Sequence, residues 1–244
     1  FAIAGPLMGG CSTTSVGTPG SFQASDGTYT NKVALNWDSP LVIEPVVQWP
    51  YIDSLFVAAG PLAIDSSGTL NVVYRSTFEL GLGGVLRHAW KVPGGCWQLV
   101  SLPDGGHSLS LAIDDNDTLH VSYSTNQQMK HAWKTVNGTW QTEVVAAESG
   151  TYTDIVVDTN SGIHIAYVLD GDIRYATKTT GPWILETVSP NVSFARAEQI
   201  ALAISSAGNV HVVYQWTTIQ SGGLSYVWRT ASGSWDFQEI DVGS

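Results

Sequence analysis

The chain has 244 residues, 43% hydrophobic and only 13% charged, which is the make-up of a globular protein and excludes a disordered one. Its net charge of −11, with ten Lys and Arg scattered along it, excludes nucleic acid as a partner, because phosphate binding needs clustered cations. Two cysteines, Cys11 and Cys96, cannot make a disulfide framework, and neither has neighbours at metal-ligand spacing. With no GxSxG, HExxH or phosphate-binding glycine loop present, no cofactor and no metal are expected.

The chain opens on FAIAGPLMGGC, an apolar run that ends in small residues and is followed by the polar STTSVGTPGS. This resembles the end of a bacterial lipoprotein signal peptide, in which the cysteine becomes the lipidated first residue. The resemblance implies lipidation of Cys11, an exported protein of the cell envelope or outer surface, and membrane contact through that anchor alone. A disulfide between Cys11 and Cys96 and an inert terminus are the alternatives. No initiating Met or basic segment precedes Phe1, so the chain reads as truncated upstream. Cys96, beside a Gly-Gly turn, reads as a lone thiol. Residues 1–21 are leader and Ser/Thr/Gly/Pro tether.

Residues 22–50 begin FQASDGTYTNKVALNWDSP, whose ASDGTYT-x-KV-x-x-x-W pattern resembles the opening strands of fibronectin type III-like modules. The likeness spans about 20 residues where such a module has about 100, so that domain is not predicted. VALNW, the turn DSP and LVIEPVV instead have the length and order of the last two strands of a four-stranded sheet. Residues 31–48 are expected to pair as a hairpin.

From Tyr51 to Val242 the chain repeats itself. PLAIDSSGTLNVVY, LAIDDNDTLHVSY, IVVDTNSGIHIAY and LAISSAGNVHVVY align Tyr74, Tyr123, Tyr167 and Tyr214, at separations of 49, 44 and 47 residues. A second column holds LRHAW, MKHAW, IRYAT and LSYVW, and a third holds Trp97, Trp140, Trp183 and Trp235. Each copy contains four short apolar runs punctuated by Asp, Asn and Gly, so each is a four-stranded antiparallel sheet. One such sheet cannot bury both faces alone, and a period of about 40 to 50 residues marks the blade of a β-propeller. The expected all-β architecture is four blades over 51–103, 104–147, 148–190 and 191–244. With the N-terminal hairpin belonging to a shared closing blade, the chain reads as a fragment of a larger ring.

Within each copy Ala63, Ala112 and Ala203 suit a crowded centre, and the Trp-led fourth strand suits the rim. Asp65, Asp114 and Asp158 begin Asx turns between the first two strands, with Ser205 in the fourth copy. Asn137-Gly138-Thr139-Trp140 is a tight-turn signal and resembles the end of the Asp-box of sialidase-type propellers, S-x-D-x-G-x-x-T-W. The Ser and Asp of that box are missing, so the resemblance implies the fold and not the activity. The repeats as a whole resemble the tandem-repeat propellers of bacterial lectins.

His120, His164 and His211 form one column and His88 and His131 another. Equivalent positions on successive blades spread round the ring and cannot share an ion; each His is expected between blades, bonded to a turn Asp or a carbonyl. The Asp114-Asp115-Asn116-Asp117 run lacks the order of a calcium loop and reads as an acidic hairpin. Arg87, Arg174 and Arg229 fall one per blade in the third-strand column, a repeat pattern and not a carboxylate-gripping triad.

That leaves the irregular connections on one face, the second-to-third-strand loops and the crossings between blades. Trp216 stands outside the aromatic columns and is expected at least partly exposed. Tyr152, His107 and Glu198 lead into central strands, and Asp170 and Asp172 lie in a loop. Aromatic platforms with carboxylate and amide partners suit sugar rings. The expectation is non-catalytic binding of glycan or another surface protein at these six residues. The alternative is a sialidase-like glycoside hydrolase whose catalytic residues lie partly in further blades.

Overall fold

The computed structural model describes residues 60–76, 84–188, 196–218, 220–230 and 233–243; the expected leader, Cys11 and the N-terminal hairpin lie outside them. Among the described residues there are sixteen strands and no helix. The first sheet contains β1 (Leu62–Ile64), β2 (Leu70–Ser76), β3 (Val85–Lys91) and β4 (Gln98–Gly105). The second contains β5 (His107–Ile113), β6 (Leu119–Ser124), β7 (Met129–Lys134) and β8 (Gln141–Ala146). The third contains β9 (Thr151–Val157), β10 (Ile163–Leu169), β11 (Asp172–Lys178) and β12 (Ile184–Thr187), and the fourth β13 (Arg196–Ile204), β14 (Val210–Thr217), β15 (Gly222–Arg229) and β16 (Trp235–Gly243).

Each sheet is an antiparallel meander in sequence order, and the first strands β1, β5, β9 and β13 pack successively against one another. These are the blades of a β-propeller with the small-residue strands innermost, as the repeats predict. The turns between first and second strands are the expected Asx turns. Asp114 Oδ1 accepts from the amides of Asn116 and Thr118 at 2.9 and 2.8 Å, and Asp158 Oδ1 from those of Asn160 and Gly162 at 2.8 and 2.7 Å. The positive φ that closes each turn falls on Gly68, Asp117, Ser161 and Gly208.

The core lies between blades. β6 is buried along its whole length because both of its faces are covered. Leu119, Val121 and Tyr123 pack with Val73 and Leu86 of the first blade, while Ser122 accepts a hydrogen bond from Thr153 of the third at 2.9 Å. Removing each such aliphatic side chain from water stabilises the fold by about 1.5–3 kcal/mol. The Trp column fastens each interface at the rim. Trp140 stands edge-on to His88 at 5.4 Å, Trp183 to His131 at 5.6 Å and Trp235 to Tyr175 at 5.3 Å, all between ring centroids. Beside them Lys178 pairs with Glu143 at 2.5 Å, and Arg229 and the Trp235 indole both donate to Glu186.

At the centre, the Asp154 carboxylate bridges three blades, accepting from Ser110 Oγ at 2.6 Å and from the Leu202 amide at 2.8 Å. The histidine columns pair within each sheet: Asn71 with His88 at 3.0 Å, His164 with Tyr175 at 2.5 Å, His211 with Tyr226 at 2.7 Å. His164 also meets the turn carboxylate of Asp158 at 3.0 Å, as expected.

Two expectations are corrected. Cys96 is disulfide-bonded and not a lone thiol. Arg87 and Arg174 stand opposite Tyr74 and Tyr167, but Arg229 stands opposite Val210, in the column of Lys91, Lys134 and Lys178. The arginines therefore do not share one column, because the third strand of the fourth blade carries Ser225 opposite its Tyr214.

Candidate functional site

The face opposite the Asx turns is more ordered than its sequence suggests. Thr125 and Thr218 each fold a tight turn around a hydroxyl: Thr125 Oγ1 accepts from the amides of Gln127 and Gln128, and Thr218 Oγ1 from those of Gln220 and Ser221. The two turns present Asn126, Gln127 and Gln220 to solvent on fixed backbones. Asp170 and Gly171, at φ of +52° and +91°, make a two-residue hairpin turn that pairs Leu169 with Asp172. The expectation of irregular connections at these places is corrected, since local hydroxyl and carboxamide chemistry orders them.

A second device recurs where the chain enters each central strand. Thr151 pairs with Val168 and Thr153 with Tyr167, which leaves Tyr152 as the extra residue of a β-bulge. Ser108 and Leu109 are the corresponding excess opposite Tyr123, and Glu198 is the excess between Ala197 and Gln199. Bulges of this kind re-aim side chains at strand ends. They are crowded from behind: a Cβ on Gly106 would lie 2.6 Å from the Ser124 carbonyl oxygen, and one on Gly150 would lie 2.6 Å from the Tyr167 ring. Tyr152 takes φ of +45° and Ser108 +52°. Left-handed backbone costs about 1–3 kcal/mol in a residue that bears a side chain. Tyr152 is 45% exposed, so part of its ring is open to solvent.

Between the first and second blades the same face holds a concavity of about 530 Å³, lined among others by Asp104, Gly105, Thr125, Asn126 and Gln127. Asp104 Oδ2 accepts from Lys130 Nζ at 2.6 Å and from the Tyr123 hydroxyl at 2.9 Å. Burial alone would raise the Asp104 carboxyl, but the Lys130 and Tyr123 hydrogen bonds outweigh it and hold the group below the usual carboxylate range. The same burial and bond push the Tyr123 phenol far upward, so it stays a neutral donor. His107 follows the concavity in sequence, with Nδ1 3.1 Å from Ser108 Oγ; burial and then the Arg75 charge lower its pKa, so it is neutral at pH 7. The Ser149 hydroxyl ties the next crossing to the Thr125 carbonyl at 2.6 Å.

His107 and Tyr152 therefore stand at the same end of adjacent central strands, β5 and β9, and the bulge at Glu198 continues the series on β13. Asp172 lies 3.5 Å from Arg174, and Asp170 is a turn residue; neither lines the concavity. Trp216 is the clear correction. It is 9% exposed, packed in the core between the third and fourth blades, and its Nε1 donates to Ser225 Oγ at 3.0 Å. β14 runs on to Thr217, so Trp216 keeps the inward alternation of Tyr214 instead of leaving the strand. Sequence reading puts the crossing that starts at Asp104 and both Thr turns on this face without singling out their residues, and it misses Lys130; the T-x-Q spacing shared by Thr125 and Thr218 was the available signal for the turns.

No family model matches the sequence, and no curated protein matches it. Solved structures match in fold. One is a protein of unknown function from Dyadobacter fermentans, at TM-score 0.58 and 9% identity over 75% of this chain and 68% of that one. Another is the GH93 α-L-arabinofuranosidase of Fusarium graminearum in complex with arabinobiose, at 0.56 and 13% over 75% and 66%. A third is a PL25 ulvan lyase bound to -[GlcA(1-4)Rha3S]-, at 0.52 and 14% over 73% and 56%. Similarity at these identities is one of architecture: the neighbours are propeller-like, and some of them act on saccharides.

Proposed function

We propose that this propeller is a carbohydrate-recognition module whose ligand docks on the face bearing the central-strand bulges, with Tyr152 as the stacking platform. The observation that carries it is Tyr152 itself, a half-exposed aromatic ring held at positive φ on a bulge. Strained residues cluster at ligand sites, where the strain serves preorganisation. The amides of Asn126 and Gln127, and Asp104 fixed as a carboxylate, supply the acceptors and donors that sugar hydroxyls need. The fold neighbours with arabinobiose and ulvan fragments support saccharide as the ligand class. The net charge of −11 favours neutral glycans over polyanionic ones.

Binding is favoured over hydrolysis by the carboxylates. Among the described residues that line the concavity Asp104 is the one carboxylate, and the glycosidase mechanism needs two, one of them protonated. Export belongs to the same proposal, because a disulfide at Cys96 suits an oxidising compartment. A glycan array on the protein, with a hydrolysis assay on the same sugars, tests the reading. Retention of neutral glycans without turnover is expected; reducing-end release from any of them would replace it with a sialidase-like or other glycoside-active enzyme.

A further inference from the structure

The stretch of chain that carries Tyr152 is fastened to the neighbouring blade at two heights. Beneath Tyr152, the Thr153 hydroxyl donates to Ser122 Oγ on β6 at 2.9 Å, a bond buried between the second and third blades. Above it, towards the loop face, the Ser149 hydroxyl donates to the Thr125 carbonyl at 2.6 Å, and the Met129 amide donates to the Glu148 carbonyl at 2.9 Å. The crossing is thus strapped to both limbs of the turn that presents Asn126 and Gln127.

The two fastenings differ by one residue. From Ser149 to Thr153 the crossing takes four steps, whereas β6 takes three from Ser122 to Thr125. Against β10 the surplus is again one residue, Tyr152, between Thr151 opposite Val168 and Thr153 opposite Tyr167. The bulge is therefore fixed by the second blade as well as by its own sheet. Tyr152 stands one step above the Thr153 bond, level with Tyr123, and Asn126 lies three residues further along. At the rise of a strand the carboxamide-bearing turn stands roughly 10 Å above the Tyr152 backbone. Asn126 and Gln127 are exposed there, so platform and carboxamides form two open subsites on one rigid boundary.

We propose that the ligand is an oligosaccharide of two or more linked sugars, laid along the boundary between the second and third blades. One ring stacks on Tyr152, and the next exchanges hydrogen bonds with the carboxamides of Asn126 and Gln127, a span that a single pyranose ring does not cover. Ser149 is the positioning residue: its bond to Thr125 sets the platform against the carboxamides, so that both subsites meet one ligand without rearrangement. This rests on the carbohydrate reading above and adds to it the length of the ligand and the residue that sets that length.

Calorimetric titration of the whole chain with neutral mono-, di-, tri- and tetrasaccharides of the glucan, xylan, mannan, galactan and arabinan series reads this directly. In the best-bound series the disaccharide should bind about tenfold tighter than the monosaccharide, or more. Asn126→Ala combined with Gln127→Ala should bring the disaccharide down to the level of the monosaccharide. Ser149→Ala should shrink the gap between the two sugars at least threefold in a protein that still melts cooperatively, an effect that lost stability alone would not produce. The double variant, at exposed side chains, decides should Ser149→Ala fail to fold. Equal affinity for monosaccharide and disaccharide overturns the inference and leaves the carbohydrate reading standing, as does an unchanged gap in either variant. Failure of every sugar to bind overturns both.

Discussion

His120 Nδ1 lies 3.1 Å from His131 Nε2, and the two rings are parallel to within 6°. The pair is one proton short. His131 Nδ1 is 3.1 Å from Glu143 Oε1, and Glu143 is held down to about 2 by that hydrogen bond and by Lys178 against burial, so it is an acceptor. His131 Nε2 must then accept from His120 Nδ1. That leaves His120 Nε2 as a buried lone pair 3.5 Å from the Asp114 carboxylate, without a protein donor. The third blade avoids this, because Tyr175 stands in the place of His131 and donates to His164, whose other nitrogen is free to donate to Asp158.

His131→Tyr is predicted to repair the chain of bonds and to flatten the acid sensitivity of the fold. Burial, then the charge of His131, pushes His120 down to about 4 from its ordinary 6.5; burial, then Lys134, pushes His88 to about 4 as well. The unfolded chain therefore takes up protons first as the pH falls. Their contribution to stability is complete above about pH 6.5 and drains away towards pH 4, roughly 2 kcal/mol for each of the two between pH 7 and pH 5. Urea unfolding at both pH values should show the smaller loss in His131→Tyr; an equal loss would place the sensitivity elsewhere.

Trp216→Ala is predicted to behave like Trp140→Ala, each costing about 3–5 kcal/mol of stability as a core deletion. Both indoles are buried between blades. Thermal or urea melts would show it, and a Trp216→Ala protein of wild-type stability would restore that residue as a surface platform.

Cys96 is predicted to resist alkylation until reductant is added, because its sulfur is already bonded. The sequence has one other cysteine, Cys11, the residue that a lipid anchor would occupy through a thioether. Intact-mass analysis of the exported, unreduced protein separates the two states. A diacylglyceryl adduct on Cys11 together with an alkylated Cys96 would contradict the disulfide.

The blades were legible in the sequence because their columns are set by packing that repeats: Tyr74, Tyr123, Tyr167 and Tyr214 must alternate inward, and the Asx turns must follow every first strand. The site was only partly legible. Tyr152 and His107 were found from their position before a central strand, but the bulge that strains Tyr152 depends on register against Tyr167 and Val168, which no local pattern encodes. Trp216 misled because TTIQSGG reads as a loop, whereas hydrogen bonding around Thr218 confines the turn to four residues and lets β14 run through the indole. Asp104 gains its meaning only from Lys130 and Tyr123, 26 and 19 residues away in the chain.

The central claim, that Tyr152 is strained so as to serve a ligand, is tested most directly by Tyr152→Gly, with stability and glycan affinity measured on the same preparation. Glycine takes positive φ without cost, so the melting midpoint should hold or rise, by up to about 1 kcal/mol in stability, while the half-exposed ring gives up little packing. Affinity for the glycans retained by the wild type should fall at least tenfold, a loss of about 1.4 kcal/mol. Unchanged affinity in a protein of equal or greater stability would contradict the account and return Tyr152 to the ordinary surface.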